Sequence, residues 1–438
     1  MAATLIMSAA DAQSKETIKW NFDFGQGKAE KNYIKVSPGD IYTDGKGYGF
    51  EDTPTITENS RTGKKAMSDG YITSAKPFRF SAKVPEGNYD VTVTLGDDDD
   101  VSDAAIRVEN RRMMINRVQT AKGEHKTVTF TVHVRDSIIK TTGKGVKIKP
   151  RERLFLQWDD KLTIEINGAN PKINAISIAP ASKDCITVFL AGNSTVVDQS
   201  TEPWAAWGQM FPSFFVPGKI AIANYAESGE TIGGFIAHKR FEKMLSMMKP
   251  GDYAFVEFGH NDQKQKGEDA GPYKNYTTKL GVFIDEVRKK GGIPVIVTPV
   301  KRRRFDEAGK VVESLGEYPD AARKLAADKQ VPLIDLNAKS QILYEAWGEK
   351  PSIKAFVHYP MGSFPGQTKK LEDNTHFSTY GAYEIAKLVL TCVREQKLGI
   401  VKYIQKDVPE FDPAKPGKFE DFYWPLSPAA DAVKPDGN

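Results

Sequence analysis

Several short polar segments follow apolar runs in the second half of the chain, and their residue types suit acyl transfer. Ser194, Gly229 and Asn261 each follow one such run, and Asp373 and His376 precede the last helical stretch. A serine, a histidine base, an acid that orients the base and neutral N–H donors are what attack on an ester requires. The pattern predicts a serine hydrolase with Ser194 as the nucleophile.

His376 is the candidate base. Asp373 lies three residues earlier, close enough for a one-turn segment to hold its carboxylate against the imidazole ring and fix the tautomer. Gly229, through its backbone N–H, and Asn261, through its side-chain amide, are candidate donors to an oxyanion. Each position also has a structural interpretation: Ser194 as a helix N-cap, Asp373 as a cap before a surface histidine, and the other two as turn residues.

These segments need a parallel sheet to bring them together. After residue 184 the chain alternates helical stretches with continuous apolar runs, which are typical of strands buried on both faces. The runs are residues 186–191, 220–225, 253–258, 293–298 and 331–336, and a last helix is expected at 379–395. The order predicts a doubly wound α/β domain with five parallel strands, in which ligands bind beyond the carboxyl ends of the strands.

The first part of the chain has a different period. From residue 17 to about 181, apolar and polar residues alternate between Gly and Pro turns, which predicts an all-β sandwich of about eight strands. Asp97 to Asp100 is read as a solvated loop, with a structural calcium site as the alternative.

We divide the chain into four parts. Residues 1–12 resemble the end of a signal peptide truncated at its front, which predicts a secreted or periplasmic protein; a disordered tail is the alternative. Residues 13–181 form the sandwich and residues 182–399 the α/β domain. Residues 400–438, rich in Pro and aromatic residues, are expected to lie irregularly against one or both domains.

Composition excludes several classes of protein. Lys and Arg number 61 against 57 Asp and Glu, a balance that argues against nucleic acid as a partner. No apolar run reaches the roughly 18 residues that a membrane-spanning helix needs, so no membrane partner is expected. Two cysteines, Cys185 and Cys392, exclude a disulfide scaffold.

Four segments carry a resemblance to the SGNH (GDSL-type) hydrolases, a flavodoxin-like fold, and among them to rhamnogalacturonan acetylesterases. They are LAGNST at 190–195, FGHND at 258–262, TPVKRRRF at 298–305 and DNTH at 373–376. The resemblance covers about residues 185–396. It implies that Ser194, Asp373 and His376 form a catalytic triad, and that Ser194 N–H, Gly229 N–H and Asn261 form the oxyanion hole. The family's usual Asp before the serine is Asn193 here.

The N-terminal part resembles galactose-binding-like β-sandwiches, through FDFG at 22–25 and GYGF at 47–50. Together the two resemblances imply a carbohydrate O-acetylesterase that needs no cofactor or metal and acts on acetylated plant cell-wall polysaccharide of the rhamnogalacturonan type. Xylan or sialic acid as the acetylated glycan remains an alternative. A non-catalytic glycan-binding protein is the alternative from another class.

Two further architectures are disfavoured. The Gly-x-Ser-x-Gly turn of α/β-hydrolases is absent around Ser194. A metal hydrolase using the His and Asp residues at 260, 262, 373 and 376 would leave Ser194, Gly229 and Asn261 without a role.

A basic run, Lys301 to Arg304, follows the fourth apolar strand of the α/β part. Arg302 and Arg304 would share one side of an extended loop, with Arg303 pointing away. An arginine at this edge could bind the carboxylate of a uronate and hold a neighbouring acetyl group near Ser194. A solvated charged loop is the alternative.

Overall fold

The computed structural model describes residues 19–51, 56–60, 66–431 and 433–435. The expected signal-peptide remnant, residues 1–12, lies outside these residues. The described chain contains a β-rich part up to residue 180, an α/β part from residue 186, and an irregular C-terminal segment.

The β-rich part is a sandwich of two sheets. Its strands are β1 Trp20–Phe24, β2 Ile34–Val36, β3 Tyr48–Phe50, β4 Thr57–Ser60, β5 Gly70–Thr73, β6 Phe78–Lys83, β7 Gly87–Asp97, β8 Ser102–Val108, β9 Arg112–Thr120, β10 Glu124–Val134, β11 Ile138–Ile139, β12 Lys144–Gly145, β13 Lys161–Asn170 and β14 Ile173–Pro180. One sheet has the order β10-β7-β14-β1-β2, with β5 on β14 and β4 on β5, and the other has the order β3-β6-β13-β8-β9. A separate ribbon pairs β11 with β12.

The sandwich core follows from the alternation in the sequence. Phe22 and Phe80, from opposite sheets, are fully buried, and their ring centroids lie 4.8 Å apart. The described part has more strands than the eight expected, because strands of three or four residues, such as β2 and β3, are too short to show a period of two.

The α/β part is built on a second kind of sheet. Its strands are β15 Ile186–Gly192, β16 Ile220–Asn224, β17 Tyr253–Glu257, β18 Ile293–Val297 and β19 Leu333–Ile334. The strand order is β16-β15-β17-β18-β19, and each neighbouring pair is parallel. A short antiparallel ribbon pairs β20, Phe356–Tyr359, with β21, Leu371–Phe377.

Helices cover this sheet on both faces. They are α1 Trp207–Met210, α2 Ile232–Ala237, α3 Arg240–Met247, α4 Thr277–Lys289, α5 Tyr318–Lys329, α6 Leu336–Trp347 and α7 Thr379–Glu395. Val188 and Leu190 of β15 pack in one core and Phe189 and Ala191 in the other, which explains the continuous apolar runs. The bounds expected for the last helix are confirmed. Short turns of 3-10 helix lie at Ala66–Ser68, Pro150–Leu154, Phe211–Phe214, Asp262–Lys264, Pro351–Ala355, Val401–Tyr403 and Phe419–Asp421, and a π-helical turn lies at Pro272–Tyr276.

The turn between β8 and β9 joins the sandwich to the α/β part. Two nitrogens of Arg112 lie 2.8 Å from Asp198 Oδ2, and Asn224 donates to Asp198 Oδ1 at 2.8 Å. Gln209 donates to the carbonyls of Asn110 and Arg111, at 3.1 Å each. The sandwich therefore fixes the chain four residues beyond Ser194.

The C-terminal segment contacts both parts. Trp424 donates to Glu202 of the α/β part at 2.8 Å, and the Arg107 guanidinium of the sandwich lies 3.6 Å from the centre of the Trp424 ring. Ser427 donates to Glu165 of β13 at 2.7 Å. Cys185 and Cys392 are both buried free thiols. Among the described helices, none has the length and apolar character needed to cross a membrane.

Candidate active site

The parallel register brings three of the predicted residues to neighbouring strand ends. Leu190 of β15 pairs with Asn224 of β16, and Gly192 of β15 pairs with Glu257 of β17. Ser194, Gly229 and Asn261 follow the carboxyl ends of these three strands, where α/β proteins bind ligands. Ser194 and Asn261 are both buried.

Ser194 lies in a tight turn. The Asn193 carbonyl accepts the N–H groups of Val196 and Val197 at 3.0 and 3.1 Å. Asn193 Oδ1 accepts the N–H and the hydroxyl of Thr195 at 3.0 and 2.9 Å. An aspartate oxygen accepts the same bonds, so Asn193 can hold this turn as the family's usual Asp would.

Asp373 and His376 are brought together by a bulge in a strand. His376 Nδ1 lies 2.9 Å from Asp373 Oδ2, and Asp373 Oδ1 accepts the N–H groups of Thr375 and His376 at 2.7 and 2.9 Å. The pairing of β20 with β21 jumps from His358–Glu372 to Phe356–Phe377, so residues 373–376 bulge out. The sequence predicted a one-turn segment here, whereas the structure has a bulged strand. The predicted contact between the Asp373 carboxylate and the His376 ring is present.

The electrostatics of this pair favour a charged carboxylate. Burial alone would raise the pKa of Asp373, but the hydrogen bond and charge of His376, together with two backbone N–H groups, hold it well below its usual range. The Trp204 ring lies edge-on to the His376 ring, with centroids 5.5 Å apart. Such a carboxylate can orient an imidazole and stabilise its protonated form.

The Gly229 loop contacts the other candidate donor, Asn261. Gly229 has a φ of +80°, a left-handed conformation that favours glycine. Asn261 Nδ2 donates to the Glu230 carbonyl at 3.1 Å. Since an amide carries two N–H groups, this bond fixes the Asn261 side chain and leaves a second donor.

Sequence reasoning missed the cations that hold this loop. Lys149 and Arg151, from the end of the sandwich part, both donate to the Ser228 carbonyl, and Arg151 also pairs with Glu227. Burial and the neighbouring Glu152 raise the pKa of Glu227. Nothing in the local sequence signals these contacts, because the partners are more than 70 positions apart.

A buried carboxyl group also supports the Ser194 turn. Glu257, at the end of β17, lies 2.9 Å from the Thr195 hydroxyl oxygen and accepts the Trp207 indole N–H at 2.6 Å. Burial raises the pKa of Glu257 to about 7, against these hydrogen bonds. A charged residue ending an otherwise apolar strand was the available signal for this position.

The basic run lies beside the same edge. Arg302 is partly buried and donates to the Ser314 carbonyl at 3.2 Å, while Arg304 is exposed. Arg303, expected to point away, donates to Asn374 Oδ1 at 3.0 Å, between the two triad candidates of β21. The structure thus places Arg303, too, against the His376 segment.

Two metal sites were alternatives from the sequence, one at the candidate active site and one in the sandwich. Within the described ranges, no group of three or more His, Cys, Asp or Glu side chains is arranged to hold a metal ion. Burial and the positive charge of Arg302 lower the pKa of His260 well below its usual value. In the sandwich, the Lys172 ammonium lies 2.9 Å from Asp97 and 2.7 Å from Asp100, where the calcium alternative had its ligands.

Two known protein families match different parts of this chain. The GDSL-like lipase/acylhydrolase family matches residues 186–381, and the β-agarase/YXIM esterase-like, galactose-binding domain-like family matches residues 20–147. The rhamnogalacturonan acetylesterase RhgT of Bacillus subtilis (strain 168) is 43% identical over 224 residues, which are 51% of this chain and 95% of RhgT. The uncharacterized esterase YxiM of the same strain is 25% identical over 395 residues, 88% of this chain and 93% of YxiM.

The crystal structure of B. subtilis YxiM has a TM-score of 0.46 and 22% identity, and the match covers 87% of this chain and 99% of that one. From the family matches and the identity to RhgT, the chain belongs to the GDSL-like lipase/acylhydrolase family. It is a serine carboxylic ester hydrolase with an N-terminal galactose-binding-like domain, which confirms the family predicted from the sequence.

Proposed function

We propose that this protein is a secreted or periplasmic carbohydrate esterase that removes O-acetyl groups from pectic polysaccharide of the rhamnogalacturonan type. The observation that carries the proposal is the 2.9 Å contact between Asp373 and His376, in a chain whose Ser194 follows the carboxyl end of β15. The 43% identity to RhgT supports the choice of substrate. Residues 182–399, as a doubly wound five-stranded SGNH domain, carry the chemistry, and residues 13–181 form the attached sandwich.

The first half of the proposed reaction transfers the acetyl group to the enzyme. His376 takes the Ser194 hydroxyl proton as the oxygen attacks the acetyl carbonyl. Asp373 holds the imidazole and stabilises the imidazolium that forms. His376 then gives the proton to the sugar oxygen, which leaves as an alcohol and creates an acetyl-serine.

The second half regenerates the enzyme. His376 takes a proton from water, which attacks the acetyl-serine carbonyl, and acetate leaves as Ser194 recovers its proton. In both halves the N–H groups of Ser194 and Gly229 and the Asn261 amide stabilise the oxyanion. None of these steps uses a cofactor or a metal ion.

Acetate release from a substrate panel tests this function. Wild-type protein should release acetate from acetylated rhamnogalacturonan faster than from acetylated xylan or an acetylated sialic acid. Ser194→Ala should lose well over a hundredfold in rate, while Ser363→Ala, an exposed serine, should match wild type. Ser194→Ala activity within a hundredfold of wild type would remove Ser194 as the nucleophile.

Covalent labelling provides a second readout. An organophosphate should label wild-type protein at Ser194 and inactivate it, with no label on Ser194→Ala. Retention of the polysaccharide without any acetate release would instead favour the glycan-binding alternative. Fastest release from xylan or sialic acid would replace the pectic substrate and leave the triad proposal standing.

A further inference from the structure

A cavity of about 390 Å³ lies where the sandwich, the α/β part and the C-terminal segment meet. Its volume is within the roughly 300–1,000 Å³ that small-molecule sites occupy. Its walls come from the sandwich segment 151–156, from residues 197–201 after the Ser194 turn, and from the C-terminal residues 427–435 that the structure describes. The cavity is thus formed only when all three parts are folded together.

Two of its lining residues contact the catalytic groups. Gln199 Nε2 donates to the Ser194 carbonyl at 3.0 Å and to the Ser228 hydroxyl at 3.4 Å, beside Gly229. Trp204 is the residue whose ring stands against His376. The cavity is therefore adjacent to the proposed site of ester cleavage.

The walls combine apolar and neutral polar groups with charged side chains of both signs, such as Arg79, Arg151 and Glu227. Leu154, Phe155 and Leu156 line the sandwich side, and Leu154 is 86% exposed. Gln199, Ser200 and Thr201, which carry an amide and two hydroxyl groups, also line the cavity. An exposed leucine that lines a cavity offers apolar surface whose burial by a ligand is favourable.

A pyranose ring presents the matching surfaces. One face of the ring consists of C–H groups, which pack on apolar side chains, and its rim carries hydroxyl groups, which bond to amides and hydroxyls. We propose that segment 151–156 of the sandwich forms a subsite for a sugar ring of the acetylated glycan, next to the ring whose ester is cleaved. This inference rests on the proposed function and makes the sandwich part of the substrate-binding site.

Replacement of Leu154 tests the subsite without disturbing the fold, since the side chain is largely exposed. Leu154→Ser should raise KM about three- to tenfold on acetylated rhamnogalacturonan oligosaccharides, with kcat nearly unchanged. Hydrolysis of 4-nitrophenyl acetate, which is too small to reach the cavity, should not change. Ile138→Ser, another exposed apolar residue of the sandwich, outside the cavity lining, is the matched control.

Calorimetric binding separates this inference from the esterase proposal. Ser194→Ala protein should bind deacetylated rhamnogalacturonan oligosaccharide, and adding Leu154→Ser should weaken binding by about the same factor. Binding that Leu154→Ser leaves unchanged, or no binding at millimolar oligosaccharide, overturns the subsite. Leu154-dependent binding with no acetate release by wild type supports the subsite and contradicts the esterase proposal.

Discussion

Lys434, near the end of the described chain, places its ammonium group 3.2 Å from Asp373 Oδ2, the oxygen that also contacts His376. The lysine belongs to the C-terminal segment, which Trp204 also holds through a 2.8 Å hydrogen bond to the Asp431 carbonyl. In the proposed mechanism, a cation on this carboxylate competes with the imidazolium of His376. The C-terminal segment therefore contributes a charge to the Asp373–His376 pair.

Lys434→Ala should raise kcat/KM on an acetyl ester modestly, by about threefold or less, because it removes a cation that competes with His376 for the Asp373 carboxylate. Lys434 is 46% exposed, and solvent screening limits the effect. Lys415→Ala, on an exposed lysine paired with Asp412, should leave kcat/KM unchanged. A fall in kcat/KM would contradict this electrostatic role, and 1 M salt should shrink the expected rise.

Asn261→Ala should fold normally and lose about 100- to 1,000-fold in kcat, the usual effect of one oxyanion donor. The measurement is steady-state hydrolysis of an acetyl ester, with thermal unfolding to verify the fold. Asn275→Ala, which removes an exposed side-chain hydrogen bond to Gln265 in the same part of the chain, is the control. An unchanged kcat in Asn261→Ala would mean that another group stabilises the oxyanion.

Arg302 and Arg304 should respond differently to replacement by Gln. Arg302 is partly buried and bonded to the Ser314 carbonyl, so its loss should lower activity on polymer and on a small neutral acetyl ester alike. Arg304 is exposed, so its loss should raise KM only on a uronate-containing polymer, by about three- to tenfold. Lys324→Gln, on a remote exposed cation, is the control. Equal effects of Arg304→Gln on both substrates would exclude recognition of the uronate.

The pKa of Glu257 predicts how stability depends on pH. Its folded value, about 7, lies above its ordinary value of 4.5, so the native state binds the extra proton between these pH values. The free energy of unfolding should therefore fall as pH rises from about 4.5 to 7, by on the order of 2 kcal/mol from this group. Urea unfolding of Glu257→Gln should show a shallower fall than wild type. The exposed Glu286→Gln should keep the wild-type slope, and the same slope in Glu257→Gln would contradict the assignment.

Several parts of the site could be predicted because they depend on local sequence. Ser194, Gly229 and Asn261 are positioned by apolar strands directly before them, and the parallel pairing of those strands brings their ends together. Asp373 and His376 are only three residues apart, so almost any compact backbone keeps them close. The bulge that holds them was not predictable, since it arises from pairing with β20, a strand with no special signal.

The sequence by itself determined the family, the α/β order of the catalytic part, the alternating sandwich and the candidate triad, because each depends on residue types at short spacing. Tertiary structure alone decided that Arg151 contacts the Ser228 carbonyl beside Gly229, that Lys434 contacts Asp373, and that segment 151–156 lines a cavity near Ser194. These contacts join residues more than 35 positions apart on different parts of the chain. Their positions depend on how whole sheets pack, which no local pattern of residues specifies.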